Sequence, residues 1–237
     1  MSIARAIPLL LALALPFTAR AEDATFDISI RGLTAARLTM TGQADARSYS
    51  AAGVLQSAGL LSLVRAIRYD ASVTGTVAQG RPVPARYTEK ADTGKRKSDA
   101  VMDYRAGVPQ VKSYSPPRPP RVEEIDPATQ GGTVDPLTAL FFVVRAVPEA
   151  KACNLKLTLF DGRRRSQVTL AAPERDPSGA LTCAGEYRRL KGFTPDDMAE
   201  KSRFAFRVTY GPAGPGMLHV TDIAMDTIYG QGRMIRR

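Results

Sequence analysis

Tryptophan is absent from the chain, histidine occurs once and cysteine only twice. Each shortage removes a class of chemistry. The one histidine, His219, sits in a strand-like Met217-Leu218-His219-Val220 context and reads as a surface or interface residue rather than a general base. Cys153 and Cys183 cannot make a zinc site without other ligands. Their spacing is also far from the Cys-x-x-Cys of redox sites, so a structural disulfide is the expected role. Ser62, Ser166 and Ser202 lack a nucleophile-elbow context, and the glycines follow no phosphate-binding pattern. Glu123-Glu124 and Asp196-Asp197 are adjacent acids that would point in opposite directions on a strand, which leaves a carboxylate-based hydrolase as the weakest reading. No catalytic residue, metal ligand or cofactor is assigned. Internal repeats are missing too, which disfavours a propeller or solenoid.

Long apolar runs are also scarce. The one clear case, Ala6 to Phe17, follows Arg5 and precedes Ala19-Arg20-Ala21, the layout of a secretory signal peptide over residues 1–21 with cleavage before Glu22. It is too short and proline-broken for a comfortable membrane span. No stable span is expected, and the mature chain is expected in the periplasm as a soluble protein. Removing Arg5 and Arg20 with the leader takes the formal charge from +10 to +8. The basic residues are spread over many strand faces, and Arg163 to Arg165 alternate in direction along one strand. Nucleic acid is therefore not an expected partner.

What is present centres on Asp135 to Leu170. Leu155, Leu157 and Leu159 alternate with Lys156, Thr158 and Phe160, the two-residue period of a half-buried strand. Asp161-Gly162 then supplies a turn pair tolerant of positive φ. A two-residue loop would set Phe160 opposite Arg163 and Leu155 opposite Val168, placing Leu155, Leu157, Leu159, Val168 and Leu170 on the core face. Upstream, Asp135-Pro136 is a helix start, with Asp135 as cap and Pro136 at the first helical position. Leu137 to Val147 is apolar nearly all round, as a segment buried on several sides would be. Helix is the preferred reading and strand the alternative, with Pro148 ending either.

Elsewhere the period of two recurs. Phe26/Ile28/Ile30, Ala36/Leu38/Met40, Tyr49/Ala51/Gly53, Ile67/Tyr69/Ala71/Val73, Arg86 to Glu89, Leu181 to Arg189 and Phe204/Phe206/Val208/Tyr210 all read as strands. Gly59 to Val64 is ambiguous between a helical turn and a reversal. Gly80 to Pro84 and Ala171 to Gly179 read as turn or loop, because prolines oppose sheet pairing. Lys95 to Asp103 looks like an exposed or edge strand, and residues 115–127 like a stiff proline-rich surface loop. The apolar phase slips between Val220 and Ile223, which predicts a bulge near Thr221-Asp222. A helical turn is expected near Pro195, and Arg233 to Arg237 reads as a frayed basic tail. The fold class is mainly β: one domain over 22–237, a strongly curved antiparallel sheet (an open or spiral barrel) with one short helix packed in or against its hollow.

Several stretches resemble a known family: TFDISIRGL, Gly80-x-Pro82-x-Pro84-x-x-Tyr87, the Asp135-Pro136-Leu137-Thr138-x-Leu140 segment, and the Phe160-Asp161-Gly162-Arg163 turn. They are similar to DUF3108, a family of bacterial envelope proteins, over most of Thr25 to Tyr229. A looser similarity extends to DUF1849 envelope proteins, and in shape to lipoprotein-carrier half-barrels. The resemblance implies an exported, curved antiparallel sheet and carries over no catalytic residue. A curved sheet can offer an apolar concavity, so the leading functional expectation is a non-catalytic envelope protein that binds a hydrophobic or lipidated ligand. Leu137, Leu140, Phe141 and Val144 would line it, with Phe204, Phe206 and Tyr210 across the hollow. The expected partners are lipid or lipoprotein, or other envelope proteins. The alternative is an envelope-integrity scaffold with a fully packed core.

Overall fold

A computed structural model describes residues 21–59, 62–63 and 65–237. The proposed signal peptide lies outside them except for Ala21, as do Leu60, Leu61 and Val64 of the ambiguous segment. The first half of the described chain forms β1 (Glu22–Ile30), β2 (Leu33–Ala44), β3 (Ser48–Ser57), β4 (Arg68–Ala78), β5 (Arg81–Asp92) and β6 (Lys97–Arg105). Two short pieces follow, β7 (Val108–Pro109) and β8 (Ser113–Ser115). Helix α1 (Pro136–Val144) then leads into β9 (Val147–Pro148). The rest is β10 (Leu155–Phe160), β11 (Arg165–Arg175), β12 (Leu181–Lys191), helix α2 (Pro195–Glu200), β13 (Arg203–Gly214), β14 (Met217–Thr227) and β15 (Gly230–Arg236).

Strand order in the single sheet is β10-β11-β12-β13-β14-β15-β1-β2-β3-β4-β5-β6-β7, with each neighbouring pair antiparallel. The first and last described strands meet in its middle, where Phe26 faces Arg236 and Ile28 faces Met234. The tail expected to fray is therefore a central strand. Its own residues are too polar to advertise this; pairing with β1, far away in sequence, supplies the partner that local pattern could not. Arg237 adds an ion pair with Asp27 at 2.6 Å.

The sheet curls until its two ends, β10 and the β6–β7 turn, are joined by the intervening segment. Gly132 N–H donates to Gly107 O at 2.9 Å, Val134 N–H to Thr158 O at 2.9 Å, and Phe160 N–H to Val134 O at 2.9 Å. Val134 thus forms a parallel bridge to Leu159 and covers the free edge of β10. The product is a nearly closed, barrel-like antiparallel sheet with its core inside.

Four further expectations need correcting. The β10–β11 hairpin has a four-residue connection, with Phe160 opposite Arg165 and Leu155 opposite Leu170. Asp161 causes this: its Oδ1 accepts from the amides of Arg163 (2.9 Å) and Arg164 (2.8 Å), stabilising the longer turn. The slip is two residues, so side-chain direction is preserved, and Leu157, Leu159 and Leu170 are buried as the alternation requires. Next, Pro82 and Pro84 lie within β5, buried, beside a register shift at Thr74/Gly75. Likewise β11 continues through Pro173 to Arg175, with a shift between Ala171 and Pro173 and Ala172 at φ 50°. Bulges stand next to Pro84 and Pro173, where the ladder is already broken, while Pro82 pairs directly opposite Val77. Lastly, β6 does stand near the sheet's end, but it is not exposed: it pairs on β5 and is covered in part by the short β7 and β8, burying Ser98, Ala100, Met102 and Tyr104.

Other expectations hold. Thr209 faces Asp222 while Tyr210 faces Val220, which leaves Thr221 as the extra residue of a bulge. Helix α2 begins at Pro195 behind a Thr194–Asp197 capping box. Cys153 and Cys183 are joined in a disulfide, both buried, tying the start of β10 to β12. The bridge closes 30 sequence positions, which in the chain-entropy picture stabilises by about 3–4 kcal/mol. Urea unfolding of a Cys153→Ser/Cys183→Ser variant should show a loss of that order with an intact fold signature; an unchanged midpoint would mean that the link constrains nothing.

Candidate functional site

The candidate site is the hollow of the barrel, and α1 occupies it. Local sequence accounts for the helix. Asp135 Oδ1 accepts from Thr138 N–H at 2.8 Å, and Pro136 sits at the first helical position. Seven of its nine residues are buried: Leu137, Thr138, Ala139, Phe141, Phe142, Val143 and Val144. The helix is shorter than the expected Leu137–Val147 segment. Arg145 turns extended, and Val147 and Pro148 pair with Leu218 and Met217 of β14.

Glycines in the sheet let the helix come close. A Cβ at Gly42 would stand 2.5 Å from the Phe141 ring, and one at Gly53 would be 3.2 Å from Leu137. The Phe141 and Phe142 rings meet edge to face at 5.7 Å, and Phe142 meets Tyr49 in the same way at 5.2 Å. Phe206 lies over Gly185, where a Cβ would approach within 2.2 Å.

Of the residues expected to line a hollow, Leu137, Phe141, Val144, Phe206 and Tyr210 are buried in one continuous core, and Leu140 packs partly buried against it. Phe204 is buried but lies outside that core. Its ring neighbours Tyr187 at 5.7 Å and the cations of Arg189 and Lys201 at 5.1 Å. Alternation correctly points all three β13 residues inward, but it does not show that Phe204 lies away from the helix.

Sequence reasoning missed three polar features around the plug. The first is a buried chain at the helix start. Thr138 Oγ1 donates to Asp135 Oδ2 at 2.6 Å and accepts from the Tyr49 hydroxyl at 2.9 Å. Asp135 is fully buried, and desolvation raises its pKa against the opposing pull of the Thr138 hydrogen bonds. Burial likewise raises Tyr49. The Asp-Pro start signals the cap; nothing local signals Tyr49.

The second lies along the closing segment, where Lys112 Nζ, its side chain almost buried, stands 3.4 Å from Glu89 and donates to Asp161 O at 3.1 Å. Tyr87 donates to the same Glu89 carboxylate at 2.7 Å. The third is at the C-terminal end of α1. There Glu22, Ala24, Met40, Phe141, Val144, Arg145 and Arg236 line a pocket of about 10 Å³, on the order of one water. Glu22 Oε2 accepts from Ala146 N–H at 2.7 Å, and desolvation lowers the pKa of both arginines. His219 lies in this neighbourhood, its pKa lowered by burial and by Arg236.

A barrel-like antiparallel sheet filled by its own helix is the class of protein this geometry defines. The family model "Protein of unknown function (DUF3108)" matches residues 25–179, and the chain belongs to that family. Among solved structures it is similar to the crystal structure of a beta-barrel-like protein of domain of unknown function DUF1849 from Brucella abortus. The identity is 14%, the TM-score 0.49, and the match covers 91% of this chain and 95% of that one. No curated protein matches.

Two measurements test the plug. Gly42→Ala should destabilise by about 1–3 kcal/mol, because the fixed Phe141 ring leaves no room for the methyl; a neutral result in urea unfolding would show that the helix is free to shift. For Asp135 the folded pKa is raised above the ordinary 3.8. Protons are therefore held more tightly in the folded state, and stability falls as pH rises from about 4 towards the folded pKa. Asp135→Asn keeps a capping oxygen without the charge, so its stability relative to wild type should improve across that range. A pH-independent difference between the two proteins would contradict the buried-carboxyl account.

Proposed function

We propose that the protein is a non-catalytic envelope scaffold of the periplasm, acting through protein–protein contacts at its outer surface. The observation carrying this reading is the occupancy of the barrel interior by α1. Phe141 is 2% exposed and seated over Gly42, and the Asp135–Thr138–Tyr49 chain anchors the first turn. An acyl chain could enter only if this helix left, exposing several large apolar side chains, each contributing roughly 1.5–3 kcal/mol when buried. The pocket beside Val144 has room for a water rather than a lipid tail.

Export is part of the proposal and rests on the leader-like residues 1–21. The Cys153–Cys183 bridge suits an oxidising compartment. No helix among the described residues is long and apolar enough to cross a membrane.

The competing carrier reading makes the opposite prediction. Native mass spectrometry after gentle purification should show the bare protein mass, and crosslinking in intact envelopes should capture the same protein partners reproducibly. A retained lipid in the mass spectrum, with no reproducible crosslinked partner, would favour the carrier and end the scaffold reading.

A further inference from the structure

One end of the barrel differs from the other. At this end β1 turns into β2, β3 leads to β4, β5 turns into β6, and β14 turns into β15. These connections touch in series. Arg31 N–H donates to Gln231 O at 2.8 Å, Ala58 N–H donates to Ala35 O at 3.0 Å, and Arg65 Nε donates to Thr93 O at 2.9 Å. They therefore form one continuous rim.

Among the described residues the exposed large hydrophobics are few, and most gather here: Leu33 (68% exposed), Leu63 (83%), Ile228 (37%) and Tyr229 (65%). The turns at the opposite end, around Asp45–Arg47, Gln79–Gly80, Ala106–Gly107 and Pro215–Gly216, hold none. Exposed apolar side chains at the tips of consecutive loops do not support the core, which these loops merely border.

Cations accompany them. Arg31, Arg65, Lys95 and Arg96 are exposed on the same connections. Among the described residues no carboxylate lies at ion-pair distance from Arg31, Lys95 or Arg96, whereas Lys97 is neutralised by Asp92 at 3.1 Å. Acids stand at the same end: Asp226 is exposed just before Ile228, with Lys201 Nζ donating to its backbone oxygen at 2.8 Å, and Asp196, Asp197 and Glu200 lie on α2 in the β12–β13 connection. Protruding apolar tips flanked by unpaired cations match the interface of an anionic bilayer, where rings and branched chains enter the headgroup boundary and cations meet phosphates.

We propose that this rim docks the protein onto an anionic lipid surface, with Leu33, Leu63, Ile228 and Tyr229 entering the interface and Arg31, Arg65, Lys95 and Arg96 facing lipid phosphates. The inference goes beyond the scaffold reading and stands or falls separately from it, since it requires neither a protein partner nor a cavity.

The chain's lack of tryptophan provides a clean probe. Tyr229→Trp places the only indole at the rim, and Val122→Trp places it instead on a fully exposed residue of the proline-rich loop. With the exported protein, freed of its leader, phosphatidylglycerol vesicles should blue-shift the emission of the Tyr229→Trp protein and allow its quenching by brominated acyl chains. The Val122→Trp protein should show neither effect. Leu33→Ser/Leu63→Ser should lower vesicle partitioning at least tenfold at an unchanged unfolding midpoint. Arg31→Gln/Lys95→Gln/Arg96→Gln should weaken binding and flatten its salt dependence. Three results would each overturn the proposal: no shift for the rim indole, equal shifts for the rim and loop indoles, or partitioning unaffected by the tip substitutions.

Discussion

An amphipathic sheet that curls almost shut encloses an apolar space, and that space must be filled or the folded state loses its packing. Here one nine-residue helix, α1, fills it. Its contacts reach β3, β4, β10 and β14, so residues from both halves of the sheet close on the same small object. The curvature of the sheet and the presence of the helix are therefore two aspects of one constraint. Without Phe141, Phe142 and Val144 the wall would have no interior surface to pack against. Without the glycine openings at Gly42 and Gly53 the helix would not fit so near the wall.

Polar groups are arranged around this apolar centre rather than within an open cleft. Asp135 serves the first turn of α1 and reaches Tyr49 through Thr138. Lys112 serves the closing segment, satisfied by Glu89 and Asp161 O. Glu22 serves the other end of the helix through the Ala146 amide, joining the beginning of β1 to the exit of α1. Each polar group holds the helix or the closing segment in place, and buried groups used this way are costly to leave unpaired. With the inside so committed, interaction with other molecules falls to the outer surface and the loop rims.

Much of the fold is readable from local chemistry. The alternation along β1, β2, β3 and β13 survives folding because side-chain direction in a strand has a period of two whatever the register; in β10 it holds until Phe160, which is buried beside Leu159 where the Val134 segment covers the strand. The β10–β11 register differs from the expected one by two residues, which moves no side chain to the wrong face. The helix start follows from Asp135-Pro136, and the bulge at Thr221 from a slip in apolar phase. Prolines mislead where bulges accommodate them, at Pro84 and Pro173, because a register shift depends on the partner strand and leaves little mark on the proline's own neighbours. The hollow is legible only in part: its lining residues point inward as expected, but their burial against α1 depends on how far the sheet closes.

Strand periodicity, the capped helix and the candidate disulfide pair are set by the amino-acid order alone, because all three are products of neighbour-range chemistry or of simple counting. Only the folded arrangement decides that β15 lies beside β1, that Tyr49 meets Thr138, 89 residues away, and that the helix occupies the hollow. It also gathers Leu33, Leu63, Ile228 and Tyr229 on one rim. These arrangements come from the closure of the sheet, which brings together residues whose local patterns carry no information about one another.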